Sequence, residues 1–352
     1  MSLKEFRNLF LENVLSFLWR QWSAVGVLGE ARSDDPWVID PEALLVFTIE
    51  MGRCEPRLFD EAMDWLAVNG GWIDLQRLRG ILKIHEESQG RIMGALAAWL
   101  AANSNERKWK NLANLYNPSA PAETGQATSL FYQKDGQPYP PLGNPDTAFM
   151  AYGFHRPELT LRKLTREVSV TSQATLRFLL RMLFGVGSRA ECLTYLLTHD
   201  GGHPSEISRS VGLSLRGTQD ALIDLSRSGL VLTRIKGKRK IEYWLSQERW
   251  WEFLSKGSLT EIKKPVWIDW ISLYSALARC WAALNETSRE GLSDYMRSSR
   301  LRDSFELVAN EFSKSGLAIP ALPGSNVSPQ DFEKAFETFI LQVFGAQSWQ
   351  NK

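Results

Sequence analysis

Six basic residues and no acidic one lie between positions 227 and 240: Arg227, Arg234, Lys236, Lys238, Arg239 and Lys240. Four of them crowd into Lys236-Gly237-Lys238-Arg239-Lys240. Side chains of this kind donate charge-assisted hydrogen bonds that suit phosphate oxygens. The formal net charge of the chain is only +1, but it is unevenly spread. Residues 156–256 carry 17 Lys and Arg against 10 Asp and Glu. Residues 1–114 carry 13 against 16, residues 115–155 carry 1 against 3, and residues 257–352 carry 10 against 11. A basic segment held between neutral or acidic ones is the footprint of contact with a polyanion.

Signals for catalysis are missing from the sequence. It has no P-loop, no G-x-S-x-G and no H-E-x-x-H. Of the four histidines, His85, His155, His199 and His203, only the last two are four apart, and Gly201-Gly202 between them breaks a shared helix face. Cys54, Cys192 and Cys280 are scattered within apolar patterns. They fit buried structural thiols better than a disulfide framework. No enzyme activity, metal or cofactor is expected.

The elements that position the basic cluster are legible around it. Arg189 to Thr198 places Cys192, Leu193, Leu196 and Leu197 at helical spacing, with Gly201-Gly202 beyond its end. Ser205 to Val211 predicts a second, short helix behind Pro204, with Ile207 and Val211 inward. Gly212 turns the chain, and Ser214 is placed to cap a third helix whose buried stripe is Thr218, Leu222 and Leu225, closed by Gly229. Leu230–Ile235 and Ile241–Leu245 read as two strands joined by the basic tip, with Gly237 in the turn.

Three helices and a ribbon form the winged helix-turn-helix plan. The segment Gly187–Leu245 resembles the winged-helix domains of bacterial transcriptional regulators of the ArsR and MarR type. Ser205-Glu206-Ile207, the Val211-Gly212-Leu213-Ser214 turn and Ser228-Gly229-Leu230-Val231 carry the likeness, over about 60 of 352 residues. The resemblance implies double-stranded DNA as partner, with the third helix in the major groove and its first residues at the base edges. Leu215, Arg216, Gly217, Gln219, Asp220 and Ile223 are then the outward positions. Arg216 suits guanine and Gln219 adenine, Ser214 can meet a phosphate, and the tip residues can contact phosphates or the minor groove. It also implies a homodimer on two half-sites. The cysteine pair of metal-sensing members is absent, only Cys192 being nearby. Asp220 and Asp224 oppose phosphate, and they leave open a second reading in which the winged helix binds a protein, as an antitoxin-like or scaffold component.

The flanking chain reads as helical. Residues 3–28 form an amphipathic helix with Phe6, Leu9, Phe10, Val14, Phe17, Leu18 and Val25 on one stripe. Asp40-Pro41-Glu42 opens a second helix. Others follow from Pro56, after Asp74 and over 88–102 and 104–114. Residues 115–155 are rich in Pro and Gly yet carry aromatics from Phe131 to Phe154, which predicts an irregular connection folded across a neighbouring surface. Thr175 to Phe184 is strongly apolar, with Arg177 and Arg181 four apart. Pro265 opens a long helix to Asn285, and Arg302–Lys314 and Pro329–Phe344 follow. The fold expected is mainly α: a helical N-terminal domain (1–114), the irregular connection (115–155), a winged helix-turn-helix domain with a small β-ribbon (156–256), and a helical C-terminal domain (257–352). No run reaches the ~20 apolar residues of a membrane span and no signal peptide is evident, so a cytoplasmic location is expected.

Overall fold

The computed structural model describes residues 2–28, 37–83, 87–104, 106–117, 127–140, 143–162, 165–236, 240–255, 265–288, 292–316 and 328–344. The protein is mainly helical. Among the described residues six helices come first: α1 (Leu3–Ala24), α2 (Pro41–Met51), α3 (Pro56–Asn69), α4 (Leu75–Leu82), α5 (Glu87–Asn103) and α6 (Lys108–Leu115). Their starts follow the local chemistry. Ser2 and Glu5 form a reciprocal capping box on α1. Asp40 caps α2 ahead of Pro41, and Asp74 accepts from the amides of Gln76 and Arg77 at the start of α4.

The Pro-rich connection holds a two-residue strand β1 (Thr128–Ser129), a short helix α7 (Thr147–Ala151) and a parallel partner strand β2 (Phe154–His155). Its aromatics pack on the N-terminal helices. Phe131 and Phe149 meet Phe59, and the Tyr152 hydroxyl donates to the Ala113 carbonyl. The chain after it, through residues 158–162 and 165–168, forms no helix in its described residues. It crosses α3 as irregular chain, held by Thr165 on Asp64 and by the Val168 amide on Asn69.

Helices α8 (Leu176–Phe184), α9 (Ser188–Thr198), α10 (Pro204–Val211) and α11 (Leu215–Arg227) come next. An antiparallel ribbon of β3 (Leu232–Lys236) and β4 (Lys240–Trp244) follows, then α12 (Gln247–Leu254). Three long helices, α13 (Trp270–Thr287), α14 (Asp294–Lys314) and α15 (Pro329–Phe344), follow among the described residues. The helix expected from Pro265 begins at Trp270 instead. Residues 265–269 are spent on a parallel bridge between Trp37 and Val266, and Asp269 caps the helix. Conversely, α14 starts eight residues before Arg302, under a Ser293 cap.

Among the described residues, buried apolar side chains form two clusters. The larger joins α1–α6, the connection and α13–α15. Phe10 stacks on Trp281, Phe17 meets Trp270, and Phe47 stacks on Tyr274 at 4.6 Å. The N- and C-terminal helical regions, expected as separate domains, thus share one core, because α1 turns its apolar stripe onto α13 and α15. The smaller cluster lies under α8–α12 and the ribbon. Among the described residues, no helix is long and apolar enough to cross a membrane.

Candidate nucleic-acid interface

The basic ribbon and α11 stand on the smaller core. Helix α11 buries Thr218, Ala221, Leu222 and Leu225 against Ile207, Val211 and the apolar side of α9. Before it, Gly212 takes φ +68°, the left-handed conformation that lets α10 end and the chain reverse within two residues. Ser214 caps α11, its hydroxyl accepting from the Gly217 amide at 3.2 Å. The cap fixes where the helix begins, and so which side chains stand at its exposed end.

Arg216 is 93% exposed and Gln219 is exposed beside it. Arg216 lies 4.0 Å from Asp220, one turn on; an exposed pair this loose adds little stability and leaves the guanidinium available. Asp224 is paired with Arg189 at 2.8 Å, so α9 offsets one of the two acidic charges on this face. Leu215 and Ile223 are exposed as expected. Gly217 is not: a side chain there would lie 3.1–3.3 Å from the Ser214 and Ser188 hydroxyls. The glycine serves the close approach of α11 to the start of α9, which outweighs its weakening of the helix.

The ribbon is tied to the helices at its base. Gly202, between α9 and α10, exchanges two backbone hydrogen bonds with Tyr243, each 2.9 Å. Gly201 beside it has φ +146°, and a Cβ there would fall 2.9 Å from the Tyr243 carbonyl oxygen. Trp250 of α12 donates to the Leu230 carbonyl at 3.2 Å. Toward its tip the ribbon pairs Ile235 with Ile241 and Lys236 with Lys240. Lys240 and Arg227 are exposed. Lys238 and Arg239 lie outside the described residues, as does the side chain of Lys236. Arg234 is engaged within the protein: it pairs with Glu242 at 2.5 Å across the ribbon and reaches the Asp200 carbonyl. Ile235 is 78% exposed and Ile241 50%.

Behind this unit lies a group of charges that sequence reasoning did not assemble. Asp40 and Glu42 from the start of α2, Arg77 of α4, Arg177 and Arg181 of α8 and Glu191 of α9 are all buried and in mutual contact. Three cations meet three anions. Arg181 donates to Glu42 at 2.7 Å and to Glu191 at 2.6 Å. Arg177 lies 2.7 Å from Asp40. Arg77 joins Asp40 to Glu42 and donates from Nε to the Val211 carbonyl at 2.5 Å, the last residue of α10 before the Gly212 turn. Burial alone would push the Asp40 carboxyl up, but Arg177 and Arg77 outweigh it and hold it well below the usual range. Glu42 is likewise held low against its burial by Arg181 and Arg77. The signal that could have found this network is two arginines inside TLRFLLRMLF, a segment too apolar to expose a charged face.

The network also bears on the charge pattern. Arg156, Arg177 and Arg181 are among the 17 basic residues of 156–256, and each is buried against an acid from residues 40–60. Part of the segmental imbalance is therefore internal pairing. Most of the remaining excess belongs to residues 232–244, with five basic residues against Glu242, whereas α11 balances Arg216 and Arg227 with Asp220 and Asp224. The thiols are no reactive centre: burial raises Cys54 to about 11 and Cys192 to about 12, so neither is a thiolate at neutral pH. No group of three or more metal-ligating side chains converges among the described residues. No protein-family model matches the chain, and no curated protein or solved structure is found to be similar to it.

Proposed function

We propose that the chain is a sequence-specific DNA-binding regulator that uses residues 188–245 as a winged helix-turn-helix. The observation that carries the proposal is the exposed start of α11. A capped helix, fixed from behind by two others, presents Arg216 and Gln219 to solvent beside an anchored ribbon with a basic tip. A helix of this width enters the major groove, where an arginine pairs bidentately with guanine and a glutamine with adenine. Ser214, Arg227, Lys236, Lys238, Arg239 and Lys240 would supply phosphate contacts. Arg234, held by Glu242, would brace the ribbon. The protein would act in a bacterial cytoplasm as a homodimer on two half-sites.

Labelled duplex from the gene's own promoter, titrated against random duplex at several salt concentrations, tests this. The expected result is tighter binding to the promoter and a steep loss of affinity with salt. Equal binding to both, or none at low salt, would sink it.

A second reading is favoured by one feature. Ile235 and Ile241 sit opposite each other near the ribbon tip, the first largely and the second half exposed to water. Exposed apolar pairs of this kind mark contact with another protein. On this reading the ribbon docks a protein partner, in the manner of an antitoxin or scaffold. The two are compatible if the partner controls DNA binding.

A further inference from the structure

Helix α11 leaves two aliphatic side chains in water beside its polar ones. Leu215 is 45% exposed and Ile223 39%. Gln219 stands four residues from each, so Leu215, Gln219 and Ile223 mark successive turns of one face. At 1.5 Å per residue the two aliphatics are ~12 Å apart along the axis, with the amide midway. Neither belongs to an apolar core. The leucine that docks the start of the helix is Leu213, on the other side of the Ser214 cap.

The charges on this helix cancel, Arg216 and Arg227 against Asp220 and Asp224. A polyanion is therefore drawn mainly to the basic ribbon, and α11 adds to binding chiefly through uncharged contacts. In the major groove these are of two kinds: hydrogen bonds to base edges, and apolar contact with the C5-methyl group of thymine. Gln219 suits the first. Leu215 and Ile223 have no donor or acceptor in the side chain and suit only the second. A protein partner would be met by a contiguous apolar patch. Here an amide separates the two aliphatics, and Arg216 and Asp220 flank them, a spacing that fits separate base pairs.

We propose, on the DNA-binding reading, that Leu215 and Ile223 read the C5-methyl groups of two thymines, one on either side of the base pair that Gln219 meets. At 3.4 Å per base pair, the ~12 Å between the two side chains puts those thymines about three to four base pairs apart. Loss of one methyl should weaken binding about fourfold, the worth of one methylene-sized group buried from water. Affinity then comes mainly from the ribbon, and part of the sequence preference from two aliphatic side chains that carry no charge.

Selection of a randomised duplex library on the full chain supplies the probe. Each thymine of the enriched duplex is then replaced singly by deoxyuridine, which deletes the methyl and keeps every hydrogen bond. Two thymines, about three to four base pairs apart, should each lose about fourfold on replacement. Leu215→Ala should bind the thymine and deoxyuridine duplexes alike at one of these positions, and Ile223→Ala at the other. Each comparison is a ratio within one variant, so it does not depend on how much of that variant is folded. Indifference to deoxyuridine at every thymine, or undiminished fourfold losses in both alanine variants, would overturn the proposal while leaving DNA binding in place. A library from which nothing is enriched, at low salt as well, would sink the DNA reading and this proposal with it.

Discussion

At the scale of single residues, the interior charges and the exposed ones have opposite consequences. Arg181 contacts two carboxylates that have no water to turn to. Arg181→Ala should destabilise the protein by about 3–5 kcal/mol, since it strands buried anions, whereas removing an exposed ion pair costs little. Chemical denaturation of the variant measures this, and a loss under about 1 kcal/mol would mean that the network is hydrated. The same network fixes an acid limit. Asp40 and Glu42 have lowered native values, so the stability they lend is complete above the unfolded-chain range near 4 and is lost as pH falls through the lower native values. Unfolding free energy should therefore hold steady down to about pH 5 and then fall. On the surface, if α11 reads DNA as proposed, Arg216→Ala should relax sequence preference by about 1–3 kcal/mol at one base pair and leave stability unchanged. A competition series over single-base variants of the bound duplex reads it directly.

At the scale of elements, local chemistry wrote its boundaries plainly into the sequence wherever a cap or a glycine stood. Pro204, Gly212 and Ser214 delimit α10 and α11 to within a residue of expectation, because each acts on its immediate neighbours. The start at Pro265 was misread because a proline that can open a helix also suits an extended segment, and only the distant Trp37 decides between them. The site was legible to the same degree. The outward positions on α11 follow from its period, but the capture of Arg234 by Glu242 depends on ribbon register, and the close approach at Gly217 depends on where α9 begins. Gly201 tests how firmly the ribbon must be held. Gly201→Ala forces a Cβ against the Tyr243 carbonyl and an unfavourable φ, and should detach the ribbon base from the α9–α10 turn. Hydrogen exchange at the Tyr243 amide should then accelerate while α11 stays protected. Unchanged exchange there would show that the ribbon holds without the Gly202 bridge.

At the scale of the molecule, the decisive fact is that the chain closes on itself. Residues near its start and near its end bury one another, and Arg7 donates to Asn285 at 2.5 Å across 278 positions. Hydrophobic period tells which face of α1 is apolar but not what covers it, so the sequence alone suggested separate helical domains. The shared core changes what a truncation does. Ending the chain at residue 256 would uncover Phe6, Phe10, Phe17 and Phe47, which face α13 and α15 directly. Exposing four such side chains costs about 6–12 kcal/mol, comparable with the whole stability of a domain at about 5–15 kcal/mol. The Trp270 indole bond to the Val38 carbonyl, beside the Asp40 cap, would go with them. Residues 1–256 should therefore show no cooperative thermal transition and should aggregate, although they contain every residue of the proposed interface. If that fragment melts cooperatively and binds duplex like the full chain, the C-terminal helices are a dispensable appendage. If it does not, they are part of the scaffold that holds the charge network, and through Arg77 the turn before α11, in place.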